Sequence, residues 1–239
     1  MTVVARDRLA VQPGAMKLSI IVPMLNEAPA LPDLLEHLLP LRRGAVDVVL
    51  VDGGSDDDSV AVATGAGFEV VRAERGRARQ MNAGAAATSG DVLLFLHADT
   101  RLPDGAIRLI DTALADGRRV WGRFDVGFDV RTWTMDATAF LMNLRSRLSG
   151  IATGDQALFM TRAAFDAVGG FPDQPLMEDV EITSRLRRRS RPACIRRPVL
   201  TSARRWQSRG PWRTILLMWR LRLAYWFGAS PADLEKQYR

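Results

Sequence analysis

The first half of the chain repeats one pattern: a short apolar, β-branched run followed by a stretch with helical periodicity. The runs are Leu18–Pro23, Val46–Val51, Phe68–Val71 and Asp91–Leu96, and the helical stretches are Ala30–Leu41, Asp57–Thr64, Ala78–Ala87 and Asp104–Leu114. Strands that are apolar throughout need cover on both faces, and helices between them supply it. The pattern therefore predicts an α/β fold, a mostly parallel sheet flanked by helices. In such sheets ligands bind beyond the carboxyl ends of the strands. Four stretches stand there: Pro23–Glu27, Asp52–Asp58, Arg72–Arg79 and His97–Asp99. The first, second and fourth carry acids, and the third, with four arginines to Glu74, is basic.

The second half is less regular. Arg131–Leu148 reads as a long helix, then come Gly150–Met160, a turn at Gly169–Pro172, a helix over Asp179–Arg189, and short strands at Ala193–Arg197 and Leu200–Arg204. A helix rich in tryptophan, leucine and arginine, Trp212–Phe227, follows. Charge divides with the pattern. Of 33 basic residues all but Lys17 and Lys236 are arginine, and the net +6 combines −3 over residues 1–120 with +9 over residues 121–239. Thirteen arginines and no acid lie between Arg185 and Arg222. A field of that sign attracts phosphate, whether on a nucleotide, a nucleic acid or an anionic lipid. Arg220 and Arg222 break the most apolar stretch, which falls short of the ~20 uninterrupted residues of a membrane span. Cys194 is the only cysteine, so an internal disulfide scaffold is excluded. Residues 1–16 read as a tail without the apolar core of a signal peptide, which gives the expectation of a cytoplasmic protein.

Several chemistries are missing. The first strand–helix turn, Pro23-Met-Leu-Asn-Glu27, has no glycine, which discards a Rossmann dinucleotide site; no Walker A sequence, Gly-x-Ser-x-Gly elbow or His/Cys cluster occurs. What remains is acids at strand ends. Asp52 opens Asp52-Gly-Gly-Ser-Asp-Asp-Asp58, where Ser55 or Asp56 is expected to cap the next helix. Asp52 itself sits at the ligand edge, before glycines that would let a flat base approach. Asp99, after an apolar strand, is either a helix cap or a carboxylate for a hard divalent cation that holds a diphosphate.

The ordered set Ile20-Ile-Val-Pro-Met-Leu-Asn-Glu27, Val51-Asp-Gly-Gly-Ser-Asp56, Arg75-Gly-Arg77 with Gln80-Met-Asn82, and Leu96-His-Ala-Asp99 resembles family-2 glycosyltransferases of the GT-A fold. The resemblance continues through Gly154-Asp-Gln156, Gly169-Gly-Phe171, Met177-Glu-Asp179 and Arg204-Arg-Trp206, and covers about residues 17–206. The short chain, His97-Ala-Asp99 and Arg204-Arg-Trp206 look like one small bacterial subgroup, the radical-SAM/selenodomain-associated or arsenosugar-biosynthesis transferases. The resemblance implies metal-assisted, inverting transfer of a sugar from a nucleotide diphosphate sugar to an acceptor hydroxyl, with Mg²⁺ or Mn²⁺. Pro23, Asn26 and Glu27 would line the nucleotide pocket, Asp52 would read the base, and Arg75 and Gly76 would form a basic loop against base or phosphate. Asp99 matches the last acid of the family's Asp-x-Asp and would hold the metal; His97 stands where the first acid would be.

Glu178 and Asp179 occupy the family's Glu-Asp position at a helix start, where the positive end of the helix favours a carboxylate. The resemblance makes Asp179 the base that takes the acceptor's proton, with Glu178 supporting it. Asp155, Gln156 and Trp206 would stand on the acceptor side. Arg205 either pairs with the leaving diphosphate or lies on the surface beside Trp206; with Ser202 in place of the processive enzymes' glutamine, polymer synthesis is not inferred. The chain divides into a nucleotide-sugar half (17–99), an acceptor half (100–206) and a C-terminal helical segment (207–239). The stretch 212–227 either docks on the domain or lies on anionic membrane. Two rivals remain: a sugar-phosphate nucleotidylyltransferase, which would need a glycine-rich basic loop after the first strand, and a basic nucleic-acid-binding protein, which leaves the ordered acids unexplained.

Overall fold

The apolar runs of the first half become neighbouring strands, all buried on both faces except the third, which forms a partly exposed edge. The computed structural model describes residues 16–43, 46–204 and 210–238. In it β1 (Leu18–Met24) runs parallel to β2 (Asp47–Asp52), β2 parallel to β3 (Glu69–Arg72), and β4 (Val92–Phe95) parallel to the other side of β1. Side chains alternate between two cores, as the twofold period of a strand requires. Ile20, Val22, Leu50 and Leu94 pack with α1 (Leu31–Arg43), α2 (Ser59–Gly65) and α4 (Ala106–Leu114). Ile21, Val49 and Leu93 pack with Ala78, Met81 and Ala85 of α3 (Arg77–Ala87) on the opposite face. Gly84 is where α3 presses on the sheet: a Cβ there would lie 2.4 Å from Ile21 Cγ2. Full burial of one such aliphatic side chain contributes roughly 1.5–3 kcal/mol.

The sheet continues into the second half with strands of which the sequence pattern announced only the one after residue 192. β7 (Leu158–Thr161) lies antiparallel beside β4, β6 (Trp121–Phe128) antiparallel to β7, and β8 (Ala193–Thr201) parallel to β6. The two-residue β5 (Thr100–Arg101) closes the far edge against β8. The order is β3-β2-β1-β4-β7-β6-β8-β5. Four of its seven pairings are parallel, as expected for most of the sheet. Two short strands were expected over residues 193–204. The structure has one, β8, because a register shift between Phe124 and Asp125 lets the pairing run on past Pro198.

The remaining helices are α5 (Trp133–Ser149), α6 (Arg162–Ala167), α7 (Glu178–Arg187), α8 (Pro211–Trp226) and α9 (Pro231–Tyr238). α8 docks through Leu217, Leu221, Ala224 and Tyr225 against Met177 and Val180, with Leu234 of α9 completing the contact. That face agrees with the docked-helix expectation. Its other face, Leu216, Trp219, Leu223, Trp226 and Phe227, is exposed. No helix among the described residues is long and apolar enough to cross a membrane.

Candidate active site

The loops beyond β1 and β2 are stitched together before any ligand arrives. Asn26, held at φ 55°, donates its backbone N–H to Ser55 Oγ (3.0 Å), and its side-chain oxygen accepts from Asp56 N (2.8 Å). Gln80 Nε2 donates to the carbonyls of Met24 and Val51, 2.8 Å each, tying the ends of both strands to α3. The Asp52 carboxylate is almost fully buried and accepts from the backbone N–H groups of Gly54 (3.1 Å) and Ser55 (3.0 Å), so it shapes its own loop. The expected cap is also corrected. Neither Ser55 nor Asp56 caps α2; Asp58 holds the N-cap position without a side-chain cap, and Asp57 before it accepts from Ser59 N (3.0 Å), with its other oxygen on Ala28 N (3.1 Å). The Ser59 hydroxyl, helped by the backbone donors, outweighs desolvation and holds the Asp57 carboxyl below its ordinary value.

A cleft of about 830 Å³ opens at the carboxyl ends of the strands, and Pro23, Glu27, Arg77, His97, Asp99 and Asp155 line its sheet side. The chain turns at His97–Asp99 to reach β5, which brings Asp99 beside the end of β8: Ser202 N donates to the Asp99 carbonyl at 3.2 Å. One Asp99 carboxylate oxygen accepts from Thr100 Oγ1 at 3.3 Å, and no ion pair engages it among the described residues. Nor, among them, are three His, Cys, Asp or Glu side chains grouped to hold a metal by themselves. A hard divalent cation that takes phosphate and water oxygens needs only one or two protein ligands, and the unpaired Asp99 carboxylate at the cleft fits that need.

His97 is held by packing and by a polar contact. Its Nδ1 lies 3.3 Å from Asp155 Oδ1, and its ring rests on Gly154, where a Cβ would come within 2.4 Å of Nε2. Gly154 opens a 3-10 turn (Gly154–Gln156), and its N–H donates to Asp179 Oδ2 at 2.9 Å. Asp179 Oδ1 accepts from Val180 N at 2.7 Å. Both oxygens are thus aimed by backbone donors, and the 154–156 turn, His97 and the start of α7 form one connected unit. Met177, just before α7, and Ala157, just after the turn, both adopt positive φ (68° and 46°). Non-glycine residues in that region store strain of order 1–3 kcal/mol, and such positions cluster at functional sites.

Glu178 is buried, and Arg77 Nη1 lies 3.9 Å from its Oε1. Burial first, and then the Asp179 charge, push the Glu178 carboxyl up to about 7, with Arg77 pulling the other way. Desolvation works against the charge of the half-exposed Arg77, but Glu178, Asp155 and Asp179 outweigh it and hold the guanidinium above its ordinary value.

The structure therefore brings Pro23, Glu27, His97, Asp99 and Asp155 together in the cleft lining, with Asp179 and Glu178 outside the lining but joined to it through Gly154 and Arg77. It keeps others apart. Gln156, expected on the acceptor side, is fully buried and donates to Asn143 Oδ1 (3.2 Å) and Ser146 Oγ (3.1 Å), so it anchors α5. Asn26, Asp52, Arg75 and Gly76 do not line the cleft; Arg75 is exposed and Gly76 caps α3. Arg205 and Trp206 lie outside the described residues, while Arg204, first of that motif, reaches Glu27 Oε2 at 3.4 Å. Four cleft arginines were missed as site residues: Arg77, Arg145, Arg220 and Arg222. Arg145 and Arg222 had one legible signal, since each interrupts an otherwise apolar helical stretch.

A sheet of this order with acids at its carboxyl ends is a GT-A-like α/β fold. The chain belongs to glycosyl transferase family 2, whose sequence pattern matches residues 19–171. It is 32% identical over 157 residues to an undecaprenyl-phosphate 4-deoxy-4-formamido-L-arabinose transferase of Sodalis glossinidius, covering 58% of this chain and 46% of that one. It is 32% identical over 92 residues to a glucosyl-3-phosphoglycerate synthase of Mycobacterium tuberculosis, covering 34% of this chain and 28% of the relative. The chain thus spans less than half the length of these relatives. Among solved structures, a mannosyltransferase of Pyrobaculum calidifontis in complex with GDP-Man and Mn²⁺ superposes with a TM-score of 0.59 at 22% identity, covering 78% of this chain and 56% of the other. TarS of S. aureus superposes with a TM-score of 0.64 at 19% identity, covering 79% and 61%. At these identities the likeness is one of fold.

Proposed function

We propose that the chain transfers a sugar from a nucleotide diphosphate sugar to an acceptor hydroxyl, with inversion and with a divalent cation, Mg²⁺ or Mn²⁺. The observation that carries this reading is the placing of His97, Asp99 and Asp155 in one cleft at the strands' carboxyl ends, with Asp179 bonded to Gly154 beside His97, in a family-2 chain. The donor's diphosphate would lie toward Asp99, the residue that would hold the cation; when bound, that cation neutralises charge on the leaving diphosphate. Asp179, oriented by Gly154 N and Val180 N, accepts the acceptor's proton as its oxygen attacks the anomeric carbon, and the nucleoside diphosphate leaves from the opposite side. Arg77, beside Glu178, acts electrostatically on that carboxylate. Asp52, Asn26 and the loop of Arg75 and Gly76 would frame the base from outside the cleft.

The narrower likeness to the radical-SAM/selenodomain-associated transferases rests on His97-Ala-Asp99 and Arg204-Arg-Trp206 and supplies no substrate. Peripheral contact of residues 212–227 with the inner face of an anionic membrane is part of the proposal, supported by the exposed Trp219, Leu223, Trp226 and Phe227. Incubation with a panel of nucleotide diphosphate sugars and Mn²⁺, following release of nucleoside diphosphate, tests the activity. Release from at least one donor is expected; inertness toward all of them at millimolar concentration contradicts it.

A further inference from the structure

α5 is apolar on two sides. Its buried side mixes Met135, Ala139 and Met142, which pack on Val126 and Phe128, with Thr138, Asn143 and Ser146, and Asn143 clamps the backbone of Val126 in β6 with two hydrogen bonds, 2.9 and 3.0 Å. Arg147 pairs with Asp125 of the same strand. A second set of apolar residues faces outward: Phe140, Leu141, Leu144 and Leu148 are exposed, Leu148 to 79%. A surface helix normally keeps that face polar. α8 lies against α5 and adds Trp219, Leu223 and Trp226, the last 76% exposed, to the same side. Leu141, Leu144, Leu148, Trp219, Leu223 and Trp226 all line the mouth of the cleft.

Between this apolar mouth and the acids stand Arg145 of α5 and Arg222 of α8, both in the cleft wall. Nε and Nη2 of Arg145 and Nε of Arg222 are buried with no acceptor among the described residues. Burial, then the neighbouring Arg222 charge, bring the Arg145 guanidinium down to about 10, and burial lowers Arg222 as well. Two like charges, desolvated and short of acceptors, are costly unless an anion joins them. Asp155 and Asp179 act electrostatically on both, so an anion seated there lies on the side of the proposed base.

We propose that the acceptor is an amphiphile presented by a membrane, its phosphate-bearing head seated between Arg145 and Arg222 and its hydrocarbon tail lying along the leucines and tryptophans of α5 and α8. Charge complementarity selects the head: a guanidinium offers a planar fork suited to phosphate oxygens. The outward apolar faces select the tail, since a free sugar phosphate would leave them in water. This rests on the transferase reading and names the acceptor class for it.

The test is calorimetric titration of the full chain with octyl phosphate, inorganic phosphate and octyl glucoside, all below micellar concentration, and with a nucleoside diphosphate plus Mn²⁺. Octyl phosphate should bind about tenfold or more tighter than either control, since head and tail each contribute. Replacing both arginines, Arg145→Met with Arg222→Met, should weaken octyl phosphate about tenfold. It should leave octyl glucoside and the nucleoside diphosphate unchanged, and thermal stability should not fall. Leu148→Ser with Trp226→Ser, at exposed positions where folding is not at stake, should weaken octyl phosphate and spare inorganic phosphate. Octyl phosphate binding no tighter than inorganic phosphate, or insensitive to either pair of substitutions, overturns the acceptor class. Loss of nucleoside diphosphate binding on removing the arginines assigns them to the donor and overturns it too. Absence of donor binding in the parent overturns the transferase reading and the word acceptor with it; donor binding without preference for octyl phosphate overturns the acceptor class alone.

Discussion

Glu178→Gln isolates the electrostatic cost of burying an acid beside Asp179. The folded chain holds the Glu178 proton up to about pH 7, against 4.5 for an ordinary glutamate. At about 1.4 kcal/mol per tenfold change in proton affinity, the full effect is roughly 3 kcal/mol. The folded state binds more protons than the unfolded one between those two values, so stability falls as pH rises through that window and is level above it. Glutamine keeps the shape and never ionises. Relative to the parent, the variant should therefore gain about 1 kcal/mol at pH 5, about 2 at pH 6 and about 3 by pH 8. Urea unfolding of both proteins across this range measures the difference, and groups that titrate alike in both cancel. A difference that stays constant from pH 5 to 8, or one that moves the other way, refutes the assignment of a buried, proton-holding Glu178.

Asp179→Asn removes basicity while keeping both backbone contacts available, so turnover should fall about 10²–10⁴-fold with donor affinity nearly unchanged; steady-state rates and donor titration separate the two, and near-normal turnover places the base elsewhere. Gly154→Ala puts a methyl 2.4 Å from His97 Nε2; overpacking of that kind costs about 1–3 kcal/mol, and the displaced imidazole should lower turnover, so an unchanged melting temperature and rate contradict the packing. Asn82 clamps Phe171 by donating to its carbonyl (2.8 Å) and accepting from its N–H (2.9 Å); Asn82→Ala should cost about 1–3 kcal/mol in unfolding free energy, and a neutral result removes that role.

The parallel core of the sheet was legible because β1, β2 and β4 are apolar on both faces and short helices separate them. β6 was not. Its sequence Trp-Gly-Arg-Phe-Asp-Val-Gly-Phe places Arg123 and Asp125 mid-strand, which reads as surface, yet Arg123 is fully buried and paired with Asp125. The pairing that makes this tolerable forms only in the fold. β7 failed for another reason: four residues running straight into α6 give no period to read. Among site residues, Asp99, Asp155, Glu178 and Asp179 were legible because ordered motifs carry them. Gln156 came with its motif but serves α5, since adjacency to Asp155 says nothing about which way the side chain turns. Arg145 and Arg222 lie on helices far apart in sequence, and only the docking of α8 against α5 brings them together.

The central claim is that this cleft binds a nucleotide diphosphate sugar through Asp99 and a divalent cation. Equilibrium binding of nucleoside diphosphates with and without Mn²⁺, for the parent and for Asp99→Asn, tests it most directly. The parent should bind at least one nucleoside diphosphate more tightly with Mn²⁺ than without, and Asp99→Asn should abolish that metal-dependent gain while its thermal unfolding in the absence of ligand stays close to the parent's. Equal metal-dependent affinity in the two proteins, or no nucleoside diphosphate binding by a folded parent, contradicts the account.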